Sequence, residues 1–324
     1  MRRADLKIVF MGSSDFAVPA LEALHEAGYT IPYVVTQPDR IRGRGNKVSP
    51  TPVGEYAQNN GLNLLKPEKI KENEEFMQAL AEASPNLIVI VSYGKILPKS
   101  VLEIPPLGCV NIHASLLPEY RGAAPVQRAI LDGKQELGVT LMFVSEGLDT
   151  GDMITTAKTA ASDMNAGELT GVLARLGAKI LIDTLPEIAE GTVSREQQDD
   201  SKATYAEKIE KADEKLDLSE SAEKIVRRIR AMAPSPGAYV LKGGERVVIT
   251  KAKSVELAGT DKAVEEFYRT AMPGSAFTVP SEGIYVRAGD GLFLIEELKI
   301  PGKKAMPARE YLKGNVFDTS APLE

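Results

Sequence analysis

Cysteine is nearly missing from this sequence: Cys109 is the one thiol in 324 residues. That excludes an intrachain disulfide and fits a reducing compartment, so a cytoplasmic protein is expected. Long apolar runs are missing as well. None approaches the ~20 residues that span a bilayer, so no membrane partner is expected. Arg2-Arg3 is followed by Asp5 and only a short apolar stretch, too short for the core of a secretory signal. Histidine is scarce. His25 sits among charged residues in a helical pattern, which leaves His113 as the one obvious acid/base for neutral pH in the apolar half of the chain. Neither CxxC nor HxxxH spacing occurs, so Cys109, His113 and Asp149 make a poor ligand set and no metal is expected. Tryptophan is absent altogether, and the net charge of -6 argues against indiscriminate coating of nucleic acid.

The length and a hydrophobic content of 43% suit two domains. Residues 6–11 read as a buried first strand, followed by Gly12-Ser13-Ser14-Asp15 and a helix to about Ala27. The glycine spacing of a dinucleotide site is missing, which argues against a nicotinamide cofactor. Further strands are expected at 31–36, 87–91, 107–114 and 139–144, with an edge strand at 152–158. Helices are expected at 49–60, 74–83, 124–131 and 166–190. This is an α/β pattern, a Rossmann-like, mostly parallel sheet over residues 1–191. The polar stretch 191–201 reads as the start of a linker, taken as residues 192–208. Beyond it, residues 211–232 read as helical and short β runs alternate with turns at 239–241, 246–252, 283–287 and 292–300. Those spacings suggest a small OB-like β-barrel over residues 209–324, an architecture that commonly binds RNA.

Residues 109–125, CVNIHASLLPEYRGAAP, carry the most chemistry. Strand alternation puts Asn111, His113 and Ser115 on one face and Val110 and Ile112 on the other. A second polar stretch, Gly147-Leu148-Asp149-Thr150-Gly151-Asp152, ends the next apolar segment. Ligands of open α/β sheets sit at the carboxyl ends of strands. An amide, an imidazole and a carboxylate gathered there are the parts of an acyl-transfer site. The alternative for such residues is a solvated strand edge. Between Gln37 and Lys47, four positive charges (Arg40, Arg42, Arg44, Lys47) and two glycines fall within eleven residues, too charged to form a compact element alone.

FMGSSDFA, VVTQPDRIRGRG, VSYGKILP, NIHASLLPEYRGAAPVQRAI, GVTLMFVSEGLDTGDMI, TYAEKI and PGKKAMPA, in this order along the chain, resemble the methionyl-tRNA formyltransferase family of formyltetrahydrofolate-dependent enzymes. The resemblance covers nearly the whole length. It departs at Leu218 and Ser235, where that family often carries tryptophan. It implies 10-formyltetrahydrofolate as co-substrate and formylation of the amino group of methionyl-initiator-tRNA; a monomer is expected. Asn111, His113 and Asp149 would be catalytic, with His113 either a general base or, protonated, an oxyanion donor. Tyr93, Gly94, Ile96, Leu97, Ser115, Leu116, Leu117 and Pro118 would hold the folate. Arg40, Arg42, Arg44 and Lys47 would meet the tRNA acceptor stem. In the second domain Arg227, with Arg228 and Arg230 on the same helix turn, Lys303 and Lys304 are the candidates. That domain holds 18 basic and 18 acidic residues from Ile209 onward, so bulk charge cannot attract RNA to it. Formylation of a nucleotide sugar or ribonucleotide, formyl-folate hydrolysis, and an RNA-binding protein on an inactive transferase domain are the competing readings.

Overall fold

The computed structural model describes residues 3–42 and 47–324. They form two compact units. The first takes the described residues up to Pro125, then Glu136–Ala160 and Thr170–Ala206; the second takes Val126–Gln135, Ala161–Leu169 and Glu207–Glu324.

The first unit is built on β1 (Ile8–Gly12), β2 (Val34–Val35), β5 (Leu64–Leu65), β6 (Leu87–Val91), β7 (Cys109–His113), β9 (Glu136–Phe143) and β10 (Met153–Ala160), in the order β10-β9-β7-β6-β1-β2-β5. The pairings among β1, β2, β5, β6 and β7 are parallel. Those of β9 with β7 and with β10 are antiparallel, so the sheet is mixed: parallel over most of its width, as expected, with an antiparallel pair of strands at one edge. The connection from β9 to β10 is short, and only an antiparallel pair can be closed by so short a link. β1 and β6 are buried at every position, because helices cover both faces. On one face α3 (Glu74–Ala83) and α4 (Lys99–Leu102) bring Phe76, Leu80 and Val101 against Val9, Met11, Ile88, Ile90 and Cys109. On the other, Gly177 of α6 (Ala166–Glu190) lets the helix backbone approach Ile112 of β7; a Cβ there would stand 2.5 Å from the Ile112 side chain. The remaining helices are α1 (Val18–Glu26) and α2 (Pro52–Asn59), the latter capped by the Thr51 hydroxyl accepting from Gly54 N.

Two small pairings depart from expectation. The basic stretch read as unable to form an element has its ends paired, as the antiparallel β3 (Arg40–Arg42) and β4 (Lys47–Ser49). The pairing uses backbone groups, which every residue here carries whatever its charge. Arg44, with the side chains of Arg42 and Lys47, lies outside the described residues. The segment expected as a linker is built into the first unit. Glu196 and Met153 exchange backbone hydrogen bonds, Gln198 is buried, and β11 (Tyr205–Ala206) pairs in parallel with β8 (Arg121–Gly122).

The second unit holds α5 (Pro125–Leu131, from Val126 onward), α7 (Lys211–Glu214), α8 (Ala222–Met232), α9 (Lys262–Thr270) and α10 (Ala308–Gly314). Its sheet comprises β12 (Ala238–Lys242), β13 (Glu245–Val255), β14 (Ala276–Val279), β15 (Gly283–Arg287), β16 (Leu292–Lys299) and β17 (Met306–Pro307). Every pairing is antiparallel, in the order β12-β13-β16-β15-β14, with β17 also on β16. Among the described residues no pairing joins β12 to β14, so the pairing is that of an open sheet and no closed barrel is formed. The single helix expected over 211–232 is two. Leu216 and Leu218 are buried between α7 and α8, Leu216 N bonds Tyr239 O, and Ser221 caps α8 anew by accepting from Lys224 N. α8 buries Ile225, Val226, Ile229 and Met232, one stripe of a 3.6-residue period.

Candidate functional site

The parallel strands β1, β2, β6 and β7 end along one sheet edge, and the candidate residues stand there. Within β7, Asn111 lies opposite Ile90 and Met142, and His113 opposite Thr140. Among the described residues no protein group bonds the Asn111 side-chain amide, which leaves its N–H₂ free to donate. The chain is turned out of β7 by Thr140: its hydroxyl donates to Ser115 O at 2.7 Å and accepts from Leu117 N at 3.1 Å. Ser115 donates to Glu119 O at 2.6 Å.

This fold-back carries Tyr120 over His113. Nε2 of His113 lies 2.9 Å from Tyr120 O. A carbonyl only accepts, so Nε2 carries a proton and Nδ1 is the open nitrogen of the neutral ring. Asp149 Oδ2 stands 3.6 Å from that Nδ1, both side chains being well shielded from solvent. The gap exceeds a hydrogen bond and suits a charge partner or a pair bridged by one water. Asp149 itself has φ of 51°, in the left-handed region, which costs a non-glycine residue on the order of 1–3 kcal/mol and marks a position held by its surroundings. Its Oδ2 accepts from Gly122 N at 2.9 Å, and its carbonyl accepts from Gln198 Nε2 at 2.8 Å. Gly122 has φ of 117°, and a Cβ there would meet Ala206 O at 2.9 Å, so this contact requires glycine.

The loop after β6 presents a different surface. Tyr93 is buried, its carbonyl accepting from Gln37 Nε2 at 2.9 Å and from Ser13 Oγ at 3.3 Å. Burial pushes its phenol up to about 12, and the hydroxyl has no partner among the described residues. Gly94 has φ of 78°, in the left-handed region that favours glycine, and a Cβ there would stand 2.9 Å from Gln37 Nε2, the movable end of a side chain. Ile96 is 91% exposed, whereas Leu97 is half-buried against the core. Leu117 is buried, with Leu116 and Pro118 half-buried beside it. Arg40 is exposed and donates to Gln37 Oε1 at 3.1 Å, which ties the start of the basic loop to the same edge.

Cys109 takes no part in a site. Its thiol is buried among Ile88, Val101 and other core residues, and burial pushes its pKa up to about 12. At pH 8 the native thiol is therefore expected to resist an aromatic disulfide reagent, reacting only after denaturation; an absorbance time course with and without denaturant checks this. Among the described residues no group of three His, Cys, Asp or Glu side chains could hold a metal ion.

In the second unit Arg227 and Arg228 line a cavity of about 410 Å³ with Arg128, Lys224, Asp213 and Glu220. Arg228 lies 3.5 Å from Glu220 and Arg227 lies 3.7 Å from Glu223. Arg230, on the same helix, donates to Met164 O and Ser162 O. Lys303 and Lys304 are exposed at the turn before β17. Two residues of the first site, Arg121 and Gln198, carry no functional signal in the sequence, and Gln198 falls in the segment expected as linker.

Comparison with known proteins agrees with this architecture. Residues 6–185 match the family described as formyl transferase, and residues 208–316 match the formyl transferase C-terminal domain. The chain is 45% identical to the methionyl-tRNA formyltransferase of Syntrophomonas wolfei, over 95% of this chain and 96% of that one. It is 42% identical to the methionyl-tRNA formyltransferase of Bacillus subtilis, over 95% and 94%. In fold it is similar to HypX from Aquifex aeolicus, solved with tetrahydrofolic acid, with a TM-score of 0.64 at 17% identity over 94% of this chain and 46% of that one. It is equally similar to the N-formyltransferase of Helicobacter canadensis, solved with folinic acid and dTDP-3-aminofucose, with a TM-score of 0.64 at 18% identity over 90% and 98%. The chain belongs to the methionyl-tRNA formyltransferase family.

Proposed function

We propose that the chain transfers the formyl group of 10-formyltetrahydrofolate to the free amino group of methionyl-initiator-tRNA, giving N-formylmethionyl-tRNA for translation initiation. The observation that carries this is the grouping at one sheet edge of the Asn111 amide, unpartnered among the described residues, the open Nδ1 of His113 and the Asp149 carboxylate. The co-substrate supplies an activated formyl carbon: its bond to N10 breaks, a bond to the amine forms, the amine loses a proton and N10 gains one. Asn111 donates to the oxygen on which negative charge develops. His113 takes the amine proton at Nδ1, and Asp149 stabilises the positive charge that arises on the ring. Free α-amino groups titrate near pH ~8, so deprotonation is easy and positioning matters most.

A folate fits the loop after β6 on three counts: the buried Tyr93 hydroxyl lacks a partner among the described residues, Gly94 carries no side chain at the turn, and Ile96 is exposed. Tyr93, Gly94, Ile96, Leu97 and Ser115–Pro118 are the proposed folate contacts, with Ser115 acting through its turn since its hydroxyl is already bonded. Arg40, Arg42, Arg44 and Lys47 are proposed to meet the tRNA, and Arg227, Lys303 and Lys304 to assist from the second unit. That unit is read as an OB-like RNA-binding module, supported by its run of five successively paired antiparallel strands. A monomeric, cytoplasmic enzyme without metal completes the reading. Arg44→Ala is expected to raise KM for the charged tRNA by about 5- to 100-fold, the worth of one bidentate guanidinium contact, and to leave KM for the folate unchanged. Steady-state kinetics with each substrate varied in turn check it. The reading as a whole is tested by incubating the protein with 10-formyltetrahydrofolate and methionyl-initiator-tRNA and hydrolysing the ester. Formylmethionine is the expected product, and free methionine alone would overturn the assignment.

A further inference from the structure

We infer that Gln198, clamped by Arg121, is a positioning residue that sets the backbone of Asp149 for the transfer step, an inference that rests on the proposed role of Asp149. Gln198 uses all of its hydrogen-bonding capacity. Its Oε1 accepts from Arg121 Nε at 3.0 Å and Nη2 at 2.8 Å. Its Nε2 donates to Asp149 O and to Gly151 O, each at 2.8 Å. A guanidinium only donates and carbonyls only accept, so the amide has one possible orientation. Arg121 is 2% exposed and Gln198 is 6% exposed, and the buried charge is met by Asp200 Oδ1 at 2.7 Å. The amide therefore holds the carbonyl of a residue with φ of 51° and a second carbonyl two residues further on.

Three consecutive residues then define the site. Tyr120 O bonds His113, Gly122 N bonds the Asp149 carboxylate, and Arg121 between them bonds Gln198, which fixes the Asp149 backbone. The template is itself fastened: Tyr120 N bonds Thr204 Oγ1 at 2.8 Å, Arg121 N bonds Thr204 O at 2.9 Å, and β8 pairs with β11. The separation of imidazole and carboxylate is thus set by the polar segment from Glu196 to Ala206, which contributes no reacting group of its own.

Gln198→Met keeps the length and bulk of the side chain and removes its four hydrogen bonds. It is expected to lower kcat about 10- to 100-fold, the usual consequence of a misplaced catalytic group, with KM for both substrates within about twofold. In the Asp149→Asn background the same change is expected to cost nothing further, because its effect passes through the carboxylate. An unchanged kcat, or losses that multiply in the double variant, would overturn the inference. Should Gln198→Met fail to fold, Arg121→Lys reads the same quantities, since it keeps the charge toward Asp200 and loses the fork on Gln198. A full rate in Asp149→Asn alone would instead remove the role of Asp149, and this inference with it, whereas a slow Asp149→Asn beside a fast Gln198→Met removes only the inference.

Discussion

Asn111→Ala is expected to slow formyl transfer about 10²–10³-fold at saturating substrates, the usual cost of losing one oxyanion donor. Among the described residues neither amide atom of the side chain is engaged, so its removal breaks no bond there and the fold should persist. The oxygen it serves bears full negative charge only as the amine attacks, and ground-state binding of the folate gains little from it. Folate affinity should therefore stay nearly constant while kcat falls. Steady-state rates together with a folate titration of the variant check both halves. A variant that bound folate weakly but turned over normally would assign Asn111 to the binding loop instead.

Asp149→Asn is expected to be comparably severe, at least ~10²-fold in kcat. The amide is isosteric, so its oxygen can still accept from Gly122 N and its carbonyl can still receive Gln198. What disappears is the negative charge 3.6 Å from His113 Nδ1. An amide neither compensates an imidazolium nor receives a relayed proton. Because the backbone bonds survive, thermal stability should change little while the rate collapses. Comparing the melting temperature with kcat on one preparation separates a lost charge from a lost fold. A rate loss that tracked a stability loss would reduce Asp149 to a structural role.

Much of the catalytic edge was legible because its signals are local. Strand periodicity places Asn111 and His113, with Cys109, on one side of β7 and Val110 and Ile112 on the other; that Cys109 is taken into the core is seen only in the fold. Tertiary pairing was not legible. The antiparallel return of β9 depends on which neighbour it meets, and an apolar run such as 139–144 reads the same in either direction. The break between α7 and α8 rests on Leu216 and Leu218 entering the core, which a helical periodicity also allows. The segment from Glu196 to Ala206 reads as linker because its composition is polar. Its polar atoms are nevertheless used inside the fold, through bonds from Arg121 to residues 77 and 79 positions away. Nothing in the local sequence announces an interaction at that separation. The stretch from β14 to β17 was likewise only half visible, since β14 and β17 are too short to stand out from turns.

The most direct test of the proposed site is single-turnover formyl transfer with enzyme in excess over both substrates, comparing the unchanged chain with Asn111→Ala and Asp149→Asn. Under these conditions product release does not enter and the rate reports the transfer step alone. The account predicts that both variants bind 10-formyltetrahydrofolate and methionyl-initiator-tRNA as the unchanged chain does, and transfer the formyl group at least ~10²-fold more slowly. Equal single-turnover rates in the three proteins would contradict it and place the chemistry elsewhere on the sheet.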